Sequence, residues 1–344
     1  MKRVTLDSLA AELGISKYSV SRALGGKRGV SEQTRKRVLD AARAVGYEHA
    51  AVGSRRRAGG QDVIVLLIPH QDVADVEFWM GIIAGAGRVA EDLGYKFVTR
   101  PLELGDEHQP VGVEQIAGVI VAGSRARPSM RPYLDAGVAV AMVTYPQPLE
   151  PLDIVGNADD EGGIAVARHL IELGHRRLAF VTEAPDKPSF AARSRGFTEA
   201  AAAEGLAVEQ IVIDPERPGA TFERQYRELA KRGEGPTGVF ASTDAVAFAV
   251  AWALGRLGLH VPRDVSLVGF NDGYGSARFV PRLTTLRAPT QEMGAATMRF
   301  LHDRIEGDDG PPRRLRLAPT LVVRDSTASA RSAGVSHESV SAVA

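Results

Sequence analysis

The chain has no cysteine among its 344 residues. That excludes disulfides, thiolate metal sites and cysteine nucleophiles, and it fits a reducing compartment. No apolar run approaches the roughly 20 residues a membrane span needs. The opening MKRVTLDSLAAELG breaks its apolar residues with charges, so no signal peptide is expected and the cytoplasm is the expected location. Catalytic phrases are missing as well: there is no G-x-S-x-G elbow, no P-loop, no H-E-x-x-H, and no G-x-G-x-x-G after a strand. The eight histidines are scattered without metal-ligand spacing. The expectation is therefore a protein that is not an enzyme and uses neither metal nor cofactor.

What is present begins at the N-terminus. VTLDSLAAELGISKYSVSRALGGKRGVSEQTRKRVLDAARAVGY reads as three short helices with a sharp turn between the first two. Leu6, Leu9, Ala10 and Leu13 fall at i, i+3, i+4 and i+7, one apolar stripe, and Gly14 stands where a positive φ is convenient. Ser16 caps a second helix in this reading. Its Val20, Ala23 and Leu24 face inward, leaving Lys17, Tyr18, Ser21 and Arg22 outward, near its N-terminal end. Ser31 caps a third helix that closes the core with Val38, Leu39, Ala42 and Val45. Arg35, Lys36 and Arg37 remain outside as phosphate partners. The pattern is that of a DNA-reading head.

Charge agrees with this reading, although the formal net charge is zero. Residues 1–60 carry thirteen Lys/Arg against five Asp/Glu, net +8, and the rest carries 29 against 37, net −8. A basic head on an acidic body gains DNA affinity by counterion release while the body avoids nonspecific DNA.

From residue 61 the pattern alternates between strand and helix. DVIVLLIP, AGVIVAG, VAVAMVTY, RLAFVTE, EQIVID, TGVFAST and VSLVGFND have strand length. FWMGIIAGAGRVAEDLGY, DDEGGIAVARHLIELG, SFAARSRGFTEAAAAEG, TFERQYRELAKRG and DAVAFAVAWALGRLG have helical spacing. Apolar strands between amphipathic helices indicate parallel sheets covered on both faces. The length suits two such lobes, with crossings near Gly156 and Asn157 and again after Thr284. A ligand cleft is expected where the carboxyl ends of the strands converge. His175, at a helix-to-strand turn, is expected to be structural.

The head, with HLIELGHRRLAFVT, RSRGFTEA, VPRDVSLVGFND and PRLTTLRAP, resembles the LacI-type family of bacterial transcriptional regulators over residues 4 to about 325. The resemblance implies an all-α helix-turn-helix head followed by an α/β periplasmic-binding-protein-like core of two doubly wound parallel-sheet lobes. The implied boundaries are 1–47 for the head and 48–60 for the hinge or linker. The core runs over 61–325, with an N-lobe of about 61–157 and 288–317 and a C-lobe of about 158–287 and 318–325. Residues 326–344 are expected to form a disordered tail without the leucine heptads of a tetramerising coiled coil. The implied partners are double-stranded DNA bearing a palindromic operator, a small-molecule effector such as a sugar or nucleobase, and a second copy in a homodimer or a dimer of dimers. The other class left open is a cytoplasmic sugar-binding or sugar-processing protein with a vestigial head.

Family roles carry over by residue. Thr5, Ser16, Lys17, Tyr18, Ser21, Arg22, Ser31 and Arg35 fall at DNA-contact positions of the head, with Arg22 suited to bidentate pairing with guanine. Tyr18 serves either a base or a phosphate or thymine-methyl contact. Phe78 and Trp79 match an aromatic pair at the cleft, core packing being the alternative. Arg193 matches the R-x-x-G arginine that bonds effector oxygens, with an ion pair as the alternative, and Asp244 matches the acid of D-x-x-A, or simply caps a helix. The family's ligand-gripping Asp is replaced by Asn271, with Asp272 following. Thr144 and Tyr145 replace the Asp-Arg of V-D-R-P, and Ala158 replaces an acid. PERPGA lacks an aromatic platform, and the segment between Arg100 and Ala117 is too short for the usual helix. In the linker, Arg55 and Arg56 stand where the family places a minor-groove leucine wedge, and Arg56 takes its position. This implies an operator bent less, A·T-rich at its centre and bound with steep salt dependence.

Overall fold

The computed structural model describes residues 10–11, 13–16, 19–20, 23, 31–44, 63–69, 76–102, 116–123, 130–143 and 151–331. In the head, Ala10, Val20, Ala23, Val38 and Ala42 are buried together, with Leu13, Ile15 and Ala41 packed against them. Gly14 has φ +65°, as its place after the first apolar stripe predicts. The Ser31 Oγ accepts the Thr34 N–H at 3.1 Å and starts helix α1 (Glu32–Ala44).

The chain then builds two lobes. The first holds β1 (Val63–Pro69), α2 (Val76–Asp92), β2 (Lys96–Leu102), β3 (Ile116–Ala122), α3 (Arg131–Asp135), β4 (Ala139–Val143) and β5 (Asp153–Asn157). The second holds α4 (Asp159–Glu172), β6 (Leu178–Thr182), α5 (Pro188–Ala203), β7 (Val208–Val212) and α6 (Pro218–Lys231). It continues with β8 (Gly238–Ala241), α7 (Asp244–Arg256), β9 (Ser266–Asn271) and β10 (Thr284–Arg287). The chain returns to the first lobe for α8 (Thr290–Ile305) and β11 (Arg314–Leu317), then ends in the second with β12 (Thr320–Val322).

The sheets run β11-β5-β4-β3-β1-β2 and β12-β10-β9-β8-β6-β7. Every pairing is parallel except β10 with β12. Strands such as LAFVT and GVFA are buried at every position because helices cover both faces. Three crossings, after β5, β10 and β11, join the lobes.

Helix pairs are drawn together by glycine. A Cβ on Gly85 would overlap the Gln291 carbonyl, and one on Gly294 would overlap that of Ile82, so α2 and α8 meet backbone to backbone. Gly163 and Gly196 do the same for α4 and α5. These contacts bring the start of α8 beside the start of α2, at the lobe crossing.

The structure adds β2, α3, β5 and α8 to what the sequence pattern delineates, and gives bounds to the strands after Thr284, β10, β11 and β12. β2 is an edge strand interrupted by Arg100 and Pro101 and is mostly exposed. α8 buries Met293, Met298 and Leu301 but mixes them with polar residues, which blurs its stripe. The expected disordered tail also needs correction over residues 326–331. Ser326 is buried and donates to the Leu267 carbonyl at 2.6 Å, His175 Nε2 pairs with the Ala328 carbonyl at 3.1 Å, and the Ala330 N–H reaches the Leu173 carbonyl at 2.7 Å. Small side chains let this segment lie flat on the C-lobe. Residues 332–344 lie outside the described residues. His175 itself is structural as expected, with Nδ1 on the Thr237 hydroxyl at 3.1 Å.

Candidate functional site

A cavity of about 510 Å³ opens between the lobes on the side of the crossings. Glu77 and Phe78, in the first turn of α2, line one wall. Residues 271–274, following β9, line the opposite wall, and Arg287 to Glu292 with Thr320 form the hinge side. The loop after β9 turns sharply: Asn271 has φ +115° and Asp272 φ +56°, conformations that asparagine and aspartate tolerate better than most residues. Two carboxylates hold the turn. Asp244 accepts from the Gly273 N–H at 2.8 Å and from the Ser276 hydroxyl at 2.7 Å, while Glu77 reaches across the cleft to the Tyr274 N–H. A Cβ at Gly273 would fall on the Glu77 carboxylate, which would have to shift from its present place at the Tyr274 N–H.

The six residues expected at the effector site separate into two groups. Phe78, Asn271 and Asp272 line the cavity. Asp272 is taken by Arg287 at 2.7 Å and by Arg324, so its charge is neutralised before any ligand arrives. Trp79, Arg193 and Asp244 are not among the residues that line this cavity. Trp79 is buried in the N-lobe core, edge-on to Phe78 at 5.0 Å, because a helix turns neighbouring residues by about 100°. Arg193 is buried, its guanidinium spent on Asp159 at 2.8 Å and the Ser242 carbonyl, with the Phe270 ring beneath it at 3.4 Å. Burial pushes the Asp159 carboxyl up, and the Arg193 charge pulls against that shift.

Asp244 is a buried clamp, in addition to standing in the first turn of α7. The helix cap proper is Thr243, whose hydroxyl accepts the Val246 N–H at 3.2 Å. Burial pushes the Asp244 carboxyl up to about 6, against hydrogen bonds from Thr285, Ser276 and the Gly273 N–H. A carboxyl raised in the fold contributes stability that is complete below its ordinary pKa and fades as pH rises through about 6. Burial lowers His169 and His175, whose contributions run the opposite way and are lost as pH falls below the usual histidine range. The expected result is that wild type minus Asp244→Asn stability increases from pH 7 to pH 5 as the carboxyl protonates. Urea titration of both proteins at the two pH values measures it, and a pH-independent difference rejects the assignment.

The sequence reading missed Glu77, Tyr274, Arg287, Thr290, Gln291, Glu292 and Thr320 as cavity-lining residues. Glu77 directly precedes the aromatic pair and carried that signal. The others come together only through the lobe crossings.

In the head, the Ser16 Oγ accepts the Ser19 N–H at 3.1 Å, so Ser16 and Ser31 both cap helices as expected. Lys36 and Arg37 are exposed on α1 and Arg35 is half-buried. Thr5, Lys17, Tyr18, Ser21, Arg22, Arg55 and Arg56 lie outside the described residues. Among the described residues, no His, Asp and Glu gather into a metal-binding group and no helix is long and apolar enough to cross a membrane.

Comparison with known proteins matches both parts. Residues 5–49 match the model of bacterial regulatory proteins of the lacI family, and residues 167–327 match the periplasmic binding protein-like domain. The HTH-type transcriptional regulator CelR of Thermobifida fusca is 30% identical over 337 residues, 94% of this chain and 98% of the relative. DegA of Bacillus subtilis, another HTH-type transcriptional regulator, is 26% identical over 94% of this chain and 98% of its own. Among solved structures, a CelR–cellobiose complex is 27% identical with a TM-score of 0.64, covering 94% of this chain and all of that one. A lac repressor dimer bound to operator and an anti-inducer shares the fold at 22% identity and a TM-score of 0.64, over 95% of this chain and all of that one. With a capped helix-turn-helix head, two parallel-sheet lobes joined by three crossings, and relatives that match along nearly their whole length, this chain belongs to the LacI family of bacterial transcriptional regulators.

Proposed function

We propose that the protein is a cytoplasmic, sequence-specific repressor that acts as a homodimer on a palindromic operator and takes a small-molecule effector in the cavity between its lobes. The observation that carries this reading is the joining of a basic head, net +8 over residues 1–60, to a core whose cavity lies at the lobe crossings. A ligand that favours one lobe arrangement shifts operator affinity by its differential affinity for the two states. Phe78, Asn271, Glu77, Tyr274, Thr290 and Gln291 are the side chains placed to meet it. The dimer is supported by an apolar surface on the C-lobe, where Trp252 is 61% and Val280 88% exposed and Phe248 stacks on Phe279 at 4.8 Å.

Gel shifts on the DNA upstream of its own gene test the reading. Specific binding supports it, and only weak, salt-labile binding rejects it in favour of a ligand-binding protein with a vestigial head. On the specific site, Arg22→Ala is expected to cost about 1 to 3 kcal/mol by loss of a bidentate guanine contact. Lys36→Ala weakens specific and random DNA alike, because an exposed lysine on α1 meets phosphate alone. Equal losses on both DNAs for Arg22→Ala would remove its base-reading role.

A further inference from the structure

We propose that the cleft selects a hydroxylated ligand carrying a protonated amine, with Glu77 and Glu292 as the residues that set this preference. The inference rests on the cavity being the effector site.

The charges on the cavity wall are arranged unequally. Its lining holds three carboxylates, Glu77, Asp272 and Glu292, against one cation among the described residues, Arg287. Arg287 is committed to Asp272 at 2.7 Å, and Arg324 closes on the same carboxylate from a partly buried position. That triad is net +1 with both guanidiniums bound to Asp272, and together with Glu77 and Glu292 the charges at the cavity sum to −1. Glu77 and Glu292 are the uncompensated charges. Among the described residues, Glu77 accepts only the backbone N–H of Tyr274 and Glu292 is in no ion pair.

Both acids stand in first turns, Glu77 in α2 and Glu292 in α8. The close glycine packing of α2 on α8 sets both turns on one side of the same cavity. Phe78 supplies a partly exposed ring on that wall, and an ammonium between carboxylates and an aromatic face gains both ion pairing and cation–π attraction. Asn271, Thr290, Gln291 and Thr320 add donors and acceptors of the kind hydroxyl groups require. An anionic ligand meets two carboxylates and is repelled, a rejection built into the site.

Glu77 also joins the lobes through Tyr274. A ligand cation that draws this carboxylate inward weakens the cross-lobe bond, which makes recognition and lobe arrangement depend on one side chain.

The test is isothermal titration of the full-length protein at low salt with D-glucosamine, N-acetyl-D-glucosamine, D-glucose and glucose 6-phosphate. The acetylated sugar removes the charge of the amine while retaining the ring. Glucosamine is expected to bind about tenfold tighter than either neutral sugar, with the advantage shrinking as salt screens the exposed acids. Glucose 6-phosphate is expected not to bind. Glu77→Gln and, separately, Glu292→Gln should each reduce the ratio of glucosamine affinity to neutral-sugar affinity, so failure of one variant to fold leaves the other to decide. Equal affinity for amine and neutral sugars, or tighter binding of the phosphate, overturns the ligand class but keeps the cleft as the effector site. Absence of heat with all four probes overturns the ligand class too. If cellobiose, the ligand of the CelR complex, also gives no heat, the effector-site reading falls with it.

Discussion

Asp159→Ala is expected to lower stability by about 3 to 5 kcal/mol, a loss large enough to deplete the folded protein at physiological temperature. The side chains of Asp159 and Arg193 are 3% and 4% exposed, and they meet at 2.8 Å. Removing the carboxylate strands a guanidinium that cannot shed its proton. Its remaining partners, the Ser242 carbonyl and the Phe270 ring, soften the loss but do not supply a countercharge. The pair exists because Gly163 and Gly196 let α4 and α5 touch, which sets the start of α4 against the Arg193 turn of α5. Replacing both residues together, Asp159→Leu with Arg193→Met, should recover much of the loss, since apolar isosteres spare two desolvation costs. Chemical denaturation of the two variants beside wild type measures this. A single-variant loss below about 1 kcal/mol would show that water reaches the pair and that its charges are screened.

Asp153→Ala should cost a similar amount, about 3 to 5 kcal/mol, by loosening the first lobe where the chain returns to it. The fully buried Asp153 carboxylate accepts Arg304 at 2.9 Å through both oxygens, the Arg313 guanidinium at 2.7 Å and the Arg313 N–H at 2.6 Å. It therefore ties β5 to α8 and to the strand entering β11, three pieces separated by about half the chain. Burial alone pushes this carboxyl up, but the bonds from Arg304 and Arg313 outweigh it and hold it at about 2. A carboxyl lowered in the fold stabilises fully above its ordinary pKa near 4 and loses that contribution as pH falls through about 2. Wild type should accordingly lose stability between pH 4 and pH 2, and Asp153→Asn should lack that component. Urea midpoints across this range decide the point, and parallel curves for the two proteins contradict it.

These two knots differ from the DNA head in how far the sequence reveals them. Gly14 at φ +65° and the Ser16 and Ser31 caps involve neighbours within a few residues, and the pairs Val20/Ala23 and Val38/Ala42 of the small core stand at helical spacing within their own helices. Spacing alone therefore exposes them. The alternation of LAFVT-like strands with amphipathic helices is equally local, and so are the charge division at residue 60 and the crossing near Asn157. Phe78 was legible at the cleft, but Trp79 beside it turned inward, since one helical step separates a wall residue from a core residue.

What the sequence by itself determined is a basic helix-turn-helix head, two parallel-sheet lobes and the approximate places where the chain changes lobe. Their signals are periodicity, capping and composition, which need no distant partner. Only the tertiary structure decided what each polar side chain does at the crossings. Arg193 meets Asp159 across 34 residues, Glu77 meets Tyr274 across 197, and the segment after Asp325 settles on His175 across 153. Such pairings depend on how two helices approach and how three crossings bring chain ends together, and the hydrophobic pattern specifies neither distance nor orientation between them.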